Sequence, residues 1–138
     1  MTKVGQTPYD VCVVGAGIAG AALAFALGRQ GRRVALVERD PSEPDRIIGE
    51  LLQPGGVKKL KELGFGDLFS QIDSTKIGGY GLFKDREHFR IGYPSTARED
   101  IHGRGFRYGK FVMQLRAAAL SLPNVELIEA AATGFQFS

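Results

Sequence analysis

The sequence contains few of the residues that form metal centres or covalent cross-links. Its 138 residues include one cysteine and two histidines. Cys12 has no cysteine to pair with, and its position among valines predicts a buried, unreactive thiol. His88 and His102 are isolated from other metal-ligating side chains, so we expect neither a zinc site nor a catalytic triad. The G-x-S-x-G motif of hydrolases is also missing.

The chain also lacks a strong excess of charge and a convincing membrane segment. Its net charge is +3 and its basic residues are scattered, which argues against nucleic-acid binding. Residues 11–28 carry no charge, a length that suits a membrane span or a signal peptide. Four glycines interrupt this stretch and Asp10 precedes it. A buried strand, a glycine turn and a buried helix explain it better.

Glycine is abundant, at 19 residues of 138, about twice its average usage. Hydrophobic periodicity and breaker residues predict an ordered series of elements. The predicted series is a strand Tyr9–Val14, a helix Ile18–Gln30, a strand Arg33–Glu38, a loop Asp40–Asp45, a helix from Pro54 to Gly64, strands Lys76–Phe83 and Phe89–Tyr93, a loop Pro94–Gly105, a helix around Phe111–Leu122 closed by Pro123, and a strand Val125–Ile128 that can join the first sheet. The strands Tyr9–Val14 and Arg33–Glu38 show no alternation of polar and apolar residues. Both are expected to be buried on both faces.

A glycine motif links the first predicted strand to the first helix. Residues 15–20 read Gly-Ala-Gly-Ile-Ala-Gly, which matches G-x-G-x-x-G, and Glu38 follows Gly15 by twenty-three residues. This spacing is close to the ~20 residues expected in a dinucleotide-binding βαβ unit. We expect Gly15 to permit the sharp turn, Gly17 to make room for a pyrophosphate, and Gly20 to let the helix approach the strand.

The same unit predicts how each part of the ligand is held. The N–H groups of Ile18 and Ala19 at the helix start would face the phosphates. Glu38 would accept hydrogen bonds from the adenosine ribose, and its charge disfavours the 2′-phosphate of NADP. The motif does not distinguish FAD from NAD, and a glycine turn in a domain that binds nothing is the alternative. The long excursion over residues 39–56 favours the larger FAD.

Two strings after Glu38 are more specific than the glycine motif. They are Glu-Pro-Asp-Arg-Ile at residues 43–47 and Leu-Gln-Pro-Gly-Gly at residues 52–56. With these strings the chain resembles the squalene monooxygenase (squalene epoxidase) family from residue 10 to about residue 132. The resemblance implies an α/β fold, namely a Rossmann-like FAD-binding βαβ domain of the flavin monooxygenase (hydroxylase) type, here incomplete.

The resemblance also implies site residues. Those expected to contact FAD, beyond the motif glycines, are Ile18, Ala19, Glu38, Arg39, Arg46, Leu51, Arg116 and Ala132. Gln53 and Tyr80 fall near the flavin and the epoxidation site, where they are expected to orient one another, with catalytic roles. Arginines at such positions can neutralise pyrophosphate charge. The alternatives are solvated surface arginines, above all for Arg116, and ordinary packing for Tyr80 and Gln53.

The implied activity is FAD-dependent epoxidation of squalene to (S)-2,3-epoxysqualene in sterol biosynthesis. NADPH would supply electrons through NADPH–cytochrome P-450 reductase, at the endoplasmic reticulum membrane. We expect residues 1–8 to form a flexible leader and residues 9–138 the N-terminal portion of an FAD-binding domain. We expect neither a targeting nor a transmembrane segment in this chain, and we expect the substrate domain and C-terminal membrane helices to be absent. Such a fragment alone should bind FAD weakly or not at all, and should not epoxidise squalene.

Two other functions remain open. Another FAD-dependent hydroxylase, of the aromatic or ubiquinone type, would share the glycine motif and the acid but not the Glu-Pro-Asp-Arg-Ile string. A non-enzymatic escort of prenylated GTPases could use the same βαβ architecture without a flavin. The phosphate turn together with Glu38 and Arg39 argues against the escort.

Overall fold

A computed structural model describes residues 8–46, 48–66, 68–94 and 101–136. The chain divides into two compact units, the first made of Met1–Asp45 and Phe111–Ser138 and the second of Arg46–Lys110. Most of the expected leader, and position 47 of the Glu-Pro-Asp-Arg-Ile string, lie outside the described residues.

Eight strands, three α-helices and one 3-10 turn follow one another along the described residues. The helices are α1 (Ile18–Arg29), α2 (Pro54–Leu63) and α3 (Tyr108–Leu120), and the 3-10 turn is Leu68–Ser70. The strands are β1 (Val11–Val14), β2 (Val34–Glu38), β3 (Gly49–Leu52), β4 (Ser74–Ile77), β5 (Gly79–Lys84), β6 (Glu87–Gly92), β7 (Gly103–Arg107) and β8 (Val125–Glu129).

The first unit is built on a parallel sheet in the order β1-β2-β8. Val34 of β2 lies opposite Val11 on one side and Val125 on the other. Helix α1 packs on all three strands, and it comes close to β8 because Gly28 has no side chain. A Cβ at Gly28 would lie 2.6 Å from the Val125 side chain. The late strand therefore joins the first sheet, as the sequence predicts.

The core of this unit is formed by small residues of α1 and larger apolar residues of β2 and α3. Its most buried large side chains are Val34, Leu36, Phe111, Val112 and Leu115. Ala21 and Ala24 of α1 are fully buried, so the helix backbone lies close to the sheet.

The first strand differs from its predicted burial. Val13 is buried, whereas Cys12 and Val14 are exposed, so the expectation of a buried thiol is wrong. β1 is an edge strand of the described sheet, and Val13 lies on the face that α1 covers. The central strand β2 does follow the prediction, because Val34, Ala35 and Leu36 are all buried.

The second unit contains an antiparallel sheet in the order β3-β7-β4 and a separate hairpin of β5 and β6. The hairpin turn is at Asp85, which has φ 55°. The single strand predicted over Lys76–Phe83 is divided in two after Ile77. Gly79 has φ 155°, and a Cβ there would lie 2.2 Å from the Ile91 carbonyl oxygen. The backbones of β5 and β6 therefore lie too close together for any side chain at Gly79.

Two strands of this sheet were not predicted. β3 falls in the excursion after Glu38, and β7 includes residues 103–105 of the predicted loop; residues 95–100 of that loop lie outside the described part. Their glycine-rich sequences have low strand propensity. β7 is nonetheless the central strand. Gly103 is required in it, since a Cβ at this position would lie 2.7 Å from the Leu52 carbonyl oxygen.

Helices α1 and α2 match their predicted bounds within a residue or two. α2 ends at Gly64, which adopts the left-handed conformation with φ 99° that favours glycine at this position. Within the described residues, no helix combines the length and apolar character needed to cross a membrane.

The sheet core gives a stability prediction. Leu36 is completely buried, so Leu36→Ala should lower the free energy of unfolding by about 3 kcal/mol through lost burial and a residual cavity. Leu23 of α1 is 49% exposed, and Leu23→Ala should cost less than about 1 kcal/mol. Urea denaturation followed by circular dichroism measures both. Equal losses for the two variants would contradict this core assignment.

Candidate functional site

The turn between β1 and α1 has the geometry of a phosphate-binding loop. Gly15 has φ +94°, a conformation that glycine adopts without strain. The Gly15 amide donates to the Val37 carbonyl at 2.7 Å, which fixes the turn to β2. A Cβ at Gly20 would lie 1.8 Å from the Gly15 carbonyl oxygen, whereas a Cβ at Gly17 would meet no protein atom within 4 Å.

Helix α1 begins directly after this open position. Gly17 is the N-cap residue, with extended backbone angles of φ −75° and ψ −167°, and no side chain caps the helix. The first N–H groups of a helix have no intrahelical acceptor, and the helix dipole adds positive potential there. The first turn contains no acidic residue. Ile18 and Ala19 therefore lie where backbone donors can hold an anion.

Glu38 lies at the end of β2, beside this turn. One of its carboxylate oxygens accepts the Ala16 amide at 2.7 Å, and the other accepts the Asp40 amide at 3.0 Å. These backbone donors, first Asp40 and then Ala16, lower the pKa of Glu38, and the Arg116 charge adds to the effect. The carboxylate is ionised at neutral pH and keeps lone pairs for further donors.

Arg116 supports the turn from inside the first unit. The residue is 5% exposed. Its Nε donates to the Ala16 carbonyl at 2.7 Å, and its Nη1 donates to the carbonyls of Pro41 and Ser42 at 2.8 and 3.0 Å. Its Nη2 lies 3.7 Å from Glu38 Oε2. The alternative of a solvated Arg116 is therefore wrong, since the guanidinium is buried and hydrogen-bonded.

The carboxyl edge of the parallel sheet collects the remaining predicted residues of this unit. Glu38 lies opposite Glu129, and the Ala130 amide donates to the Glu38 carbonyl at 3.0 Å. Ala132 follows two residues later and is exposed, as is Arg39 after the end of β2. Ligands of open parallel sheets bind outside this edge.

The second unit holds the other predicted residues. Arg46 is exposed, and its guanidinium lies over the ring of Tyr108, 5.1 Å from the centroid. Such a contact is typical of a cation–π pair. Leu51 lies on β3 and is 38% exposed. No local pattern indicated that Tyr108 would hold Arg46, because the two are sixty-two positions apart.

Gln53 and Tyr80 are hydrogen-bonded to each other in this unit, as expected. The Gln53 Nε2 donates to the Tyr80 hydroxyl. A third residue, Tyr93, was missed: its hydroxyl donates to Gln53 Oε1 at 2.7 Å, and its ring lies edge-on to that of Tyr80, with centroids 5.8 Å apart. A tyrosine at the end of a predicted strand carries no distinguishing signal. The catalytic roles of Gln53 and Tyr80 stay predictions.

The residues of the first unit fit the adenosine diphosphate half of FAD. The space beside Gly17 is open, backbone donors at the start of α1 can meet phosphate charge, and the Glu38 carboxylate has acceptor capacity for ribose hydroxyls. In the part of the chain that the structure describes, no group of three metal-ligating side chains is present.

The family profile described as "FAD dependent oxidoreductase" matches residues 10–45, the segment that contains the glycine turn and Glu38. Among solved structures, a flavoprotein/dehydrogenase from Cytophaga hutchinsonii superimposes with a TM-score of 0.77 at 26% identity. The alignment covers 94% of this chain and 32% of that one. The chain thus has a Rossmann-like α/β fold of the kind found in FAD-dependent oxidoreductases, which confirms the predicted fold class.

The sequence identity to particular curated enzymes is higher than the 26% found for this solved structure. The chain is 54% identical to squalene epoxidase 1 of Arabidopsis thaliana over 124 residues, covering 89% of this chain and 23% of the relative. It is 50% identical to a squalene epoxidase of Schizosaccharomyces pombe over 122 residues, covering 88% and 27%. The resemblance to the FAD-binding part of squalene epoxidases is confirmed, and the chain spans about a quarter of the length of these relatives.

The second and third glycines of the motif, Gly17 and Gly20, should respond differently to substitution. Gly20→Ala places a methyl group against the Gly15 carbonyl and should lower the free energy of unfolding by about 2 kcal/mol. Gly17→Ala enters open space at compatible backbone angles and should cost less than about 1 kcal/mol. Thermal and urea denaturation compare the two. A Gly17→Ala variant as unstable as Gly20→Ala would refute the open geometry.

Glu38 should make stability depend on pH in the acid range. Because its folded-state pKa is lowered, its ionised form stabilises the fold above the unfolded pKa of about 4.3. This contribution is lost as the pH falls through the lower folded-state pKa. Urea midpoints between pH 3 and pH 6, roughly the range where carboxyl groups titrate, should fall more steeply with acid for the wild type than for Glu38→Gln. Glu87→Gln, on the exposed hairpin, is the control and should keep the wild-type slope.

Proposed function

We propose that this chain is the FAD-binding portion of an FAD-dependent squalene monooxygenase, which oxidises squalene to (S)-2,3-epoxysqualene. The main supporting observation is the glycine turn closed by Glu38 and Arg116, within a sequence 54% identical to a squalene epoxidase. The glycine turn supports FAD as the cofactor, and the sequence identity to a squalene epoxidase supports squalene as the substrate.

The proposed FAD contacts divide by the part of the cofactor they meet. Ile18 and Ala19 would donate backbone N–H groups to the pyrophosphate, and Glu38 would accept the ribose hydroxyls. Arg116 would act mainly through the turn, because three of its donor contacts go to backbone carbonyls. The complete proposed set is Gly15, Gly17, Ile18, Ala19, Gly20, Glu38, Arg39, Arg46, Leu51, Arg116 and Ala132.

When bound, FAD supplies the redox chemistry that activates O₂ for transfer of one oxygen atom to a squalene double bond. The balanced reaction consumes squalene, O₂, NADPH and a proton, and yields the epoxide, NADP⁺ and water. The protein contributes position and charge. We propose that Tyr80 presents its hydroxyl towards the reaction site and that Gln53 holds this hydroxyl in place.

The electron source, the location, the pathway and the domain boundaries are proposed from the resemblance alone. Electrons would come from NADPH through NADPH–cytochrome P-450 reductase, and the enzyme would work at the endoplasmic reticulum membrane in sterol biosynthesis. Residues 1–8 would be a leader, and residues 9–138 would form a portion of a larger FAD-binding domain. A phenol hydroxylase is the alternative that an assay has to exclude.

The test uses the natural gene product that contains this chain. Purified with FAD, it should show a flavin absorption spectrum, and with NADPH, the reductase and squalene it should form the epoxide. Gly17→Ala should lower FAD affinity about 100-fold, or about 2.8 kcal/mol, because a methyl group enters the pyrophosphate site.

The matched control is Gly66→Ala, which also enters open space, at a turn of the second unit, and should bind FAD normally. A colourless protein would refute FAD binding, and hydroxylation of a phenol with no reaction on squalene would refute the substrate. Because the chain spans about a quarter of the length of its relatives, residues 1–138 expressed alone should bind FAD more weakly than a full-length relative and form no epoxide.

A further inference from the structure

A groove of the second unit lies between helix α2 and the two residues that lead into β7. Its volume is about 280 Å³, close to the lower limit of about 300 Å³ for sites that bind small molecules. No proposed FAD contact is among the residues that line it. The groove is therefore not accounted for by the cofactor.

One face of α2 forms the helical side of this groove. Pro54, Val57, Lys58 and Lys61 lie at positions i, i+3, i+4 and i+7, a spacing that places side chains on one stripe of a helix. Gly55 also lines the groove, and a Cβ there would meet no atom within 4 Å. The first turn of the helix is therefore open to a ligand.

The groove has an apolar part. Val57 is 5% exposed, and Pro54 is half-buried. Ile101 lines the groove from outside the helix and is also half-buried. Because α2 packs against β7, the residues just before β7 lie next to the helix. An apolar group held between α2 and Ile101 would be removed from water, which is favourable.

The charged side chains of the groove are all basic. Lys58 and Lys61 are exposed on α2, and His102 also lines the groove. The described lining contains no acidic residue. The acid of α2, Glu62, is hydrogen-bonded to Lys59, which lies outside the groove. That hydrogen bond is the largest cause of the lowered pKa of Glu62, and the charge of Lys58 contributes least to it.

Positive charge beside an apolar surface favours one kind of ligand. An ammonium group donates hydrogen bonds and accepts none, so the two lysines favour an anion. An inorganic anion would gain nothing from the apolar residues, and an uncharged apolar molecule would gain nothing from the lysines. A fatty acid has both a carboxylate and an apolar chain. The small volume of the groove favours a short chain.

We propose that this groove binds a short fatty acid, with its carboxylate between Lys58 and Lys61 and its alkyl chain against Pro54, Val57 and Ile101. The site goes beyond the proposed function and does not depend on it, because it shares no residue with the proposed FAD contacts.

The first test is calorimetric titration of the purified protein with octanoate below its micelle concentration, beside octanol and acetate. Octanoate should bind at one saturable site, about tenfold or more tighter than octanol, which lacks the charge, and acetate, which lacks the chain. Equal affinities for octanoate and octanol would overturn the role of the lysines. Equal affinities for octanoate and acetate would overturn the apolar contact, and the absence of saturable binding would overturn the whole proposal.

Lysine variants locate the site. Lys58→Gln and Lys61→Gln should each weaken octanoate binding about threefold, and the double variant about tenfold, because each substitution removes one exposed ion pair. Lys84→Gln is the matched control, since it makes the same change of charge on the hairpin, outside the groove. It should bind octanoate as the wild type does. Equal losses in all variants would indicate diffuse attraction to positive charge and would overturn the proposal.

Chemical labelling of the wild type tests the site without any substitution, so it covers a variant that does not fold. Lysine side chains are acetylated with and without saturating octanoate, and the modified peptides are quantified by mass spectrometry. Lys58 and Lys61 should lose most of their labelling, whereas Lys59 should keep it because it pairs with Glu62 on another face of α2. Equal protection of the three lysines, or protection of none, would contradict the assigned groove.

Discussion

The buried guanidinium of Arg116 is the contact on which the geometry of the first unit depends. It reaches the glycine turn through Ala16, the loop after β2 through Pro41 and Ser42, and the carboxylate of Glu38. A buried charge is tolerated only where partners compensate its lost hydration. Arg116 therefore fixes the turn, the loop and the acid together.

The phosphate turn that Arg116 supports is packed on one side and open on the other. Glu38 uses one oxygen for the Ala16 amide, so the same acid that would hold a ribose also closes the turn. The protein side of the turn is packed, since a Cβ at Gly20 cannot fit, while the side at Gly17 is empty. This asymmetry is what a pyrophosphate site requires.

Elements with a clear local signal could be predicted from the sequence. The glycine turn, α1, β2, α2 and the β5–β6 hairpin all have apolar periodicity or defined turn residues. β3 and β7 have neither, because Gly103 and its neighbours make strand only where two flanking strands approach closely. The burial of Cys12 was predicted wrongly because periodicity does not show which strand lies at an edge.

The sequence by itself predicted the dinucleotide half-site and determined the resemblance to squalene epoxidases, because both depend on short contiguous strings. Only the tertiary structure decided that Arg116 is buried against backbone carbonyls, and that Tyr93 reaches Gln53 from forty positions away. Side-chain contacts between distant residues depend on register and packing, which leave no local pattern in the chain. The physical reason is that a hydrogen bond is set by distance and direction in space.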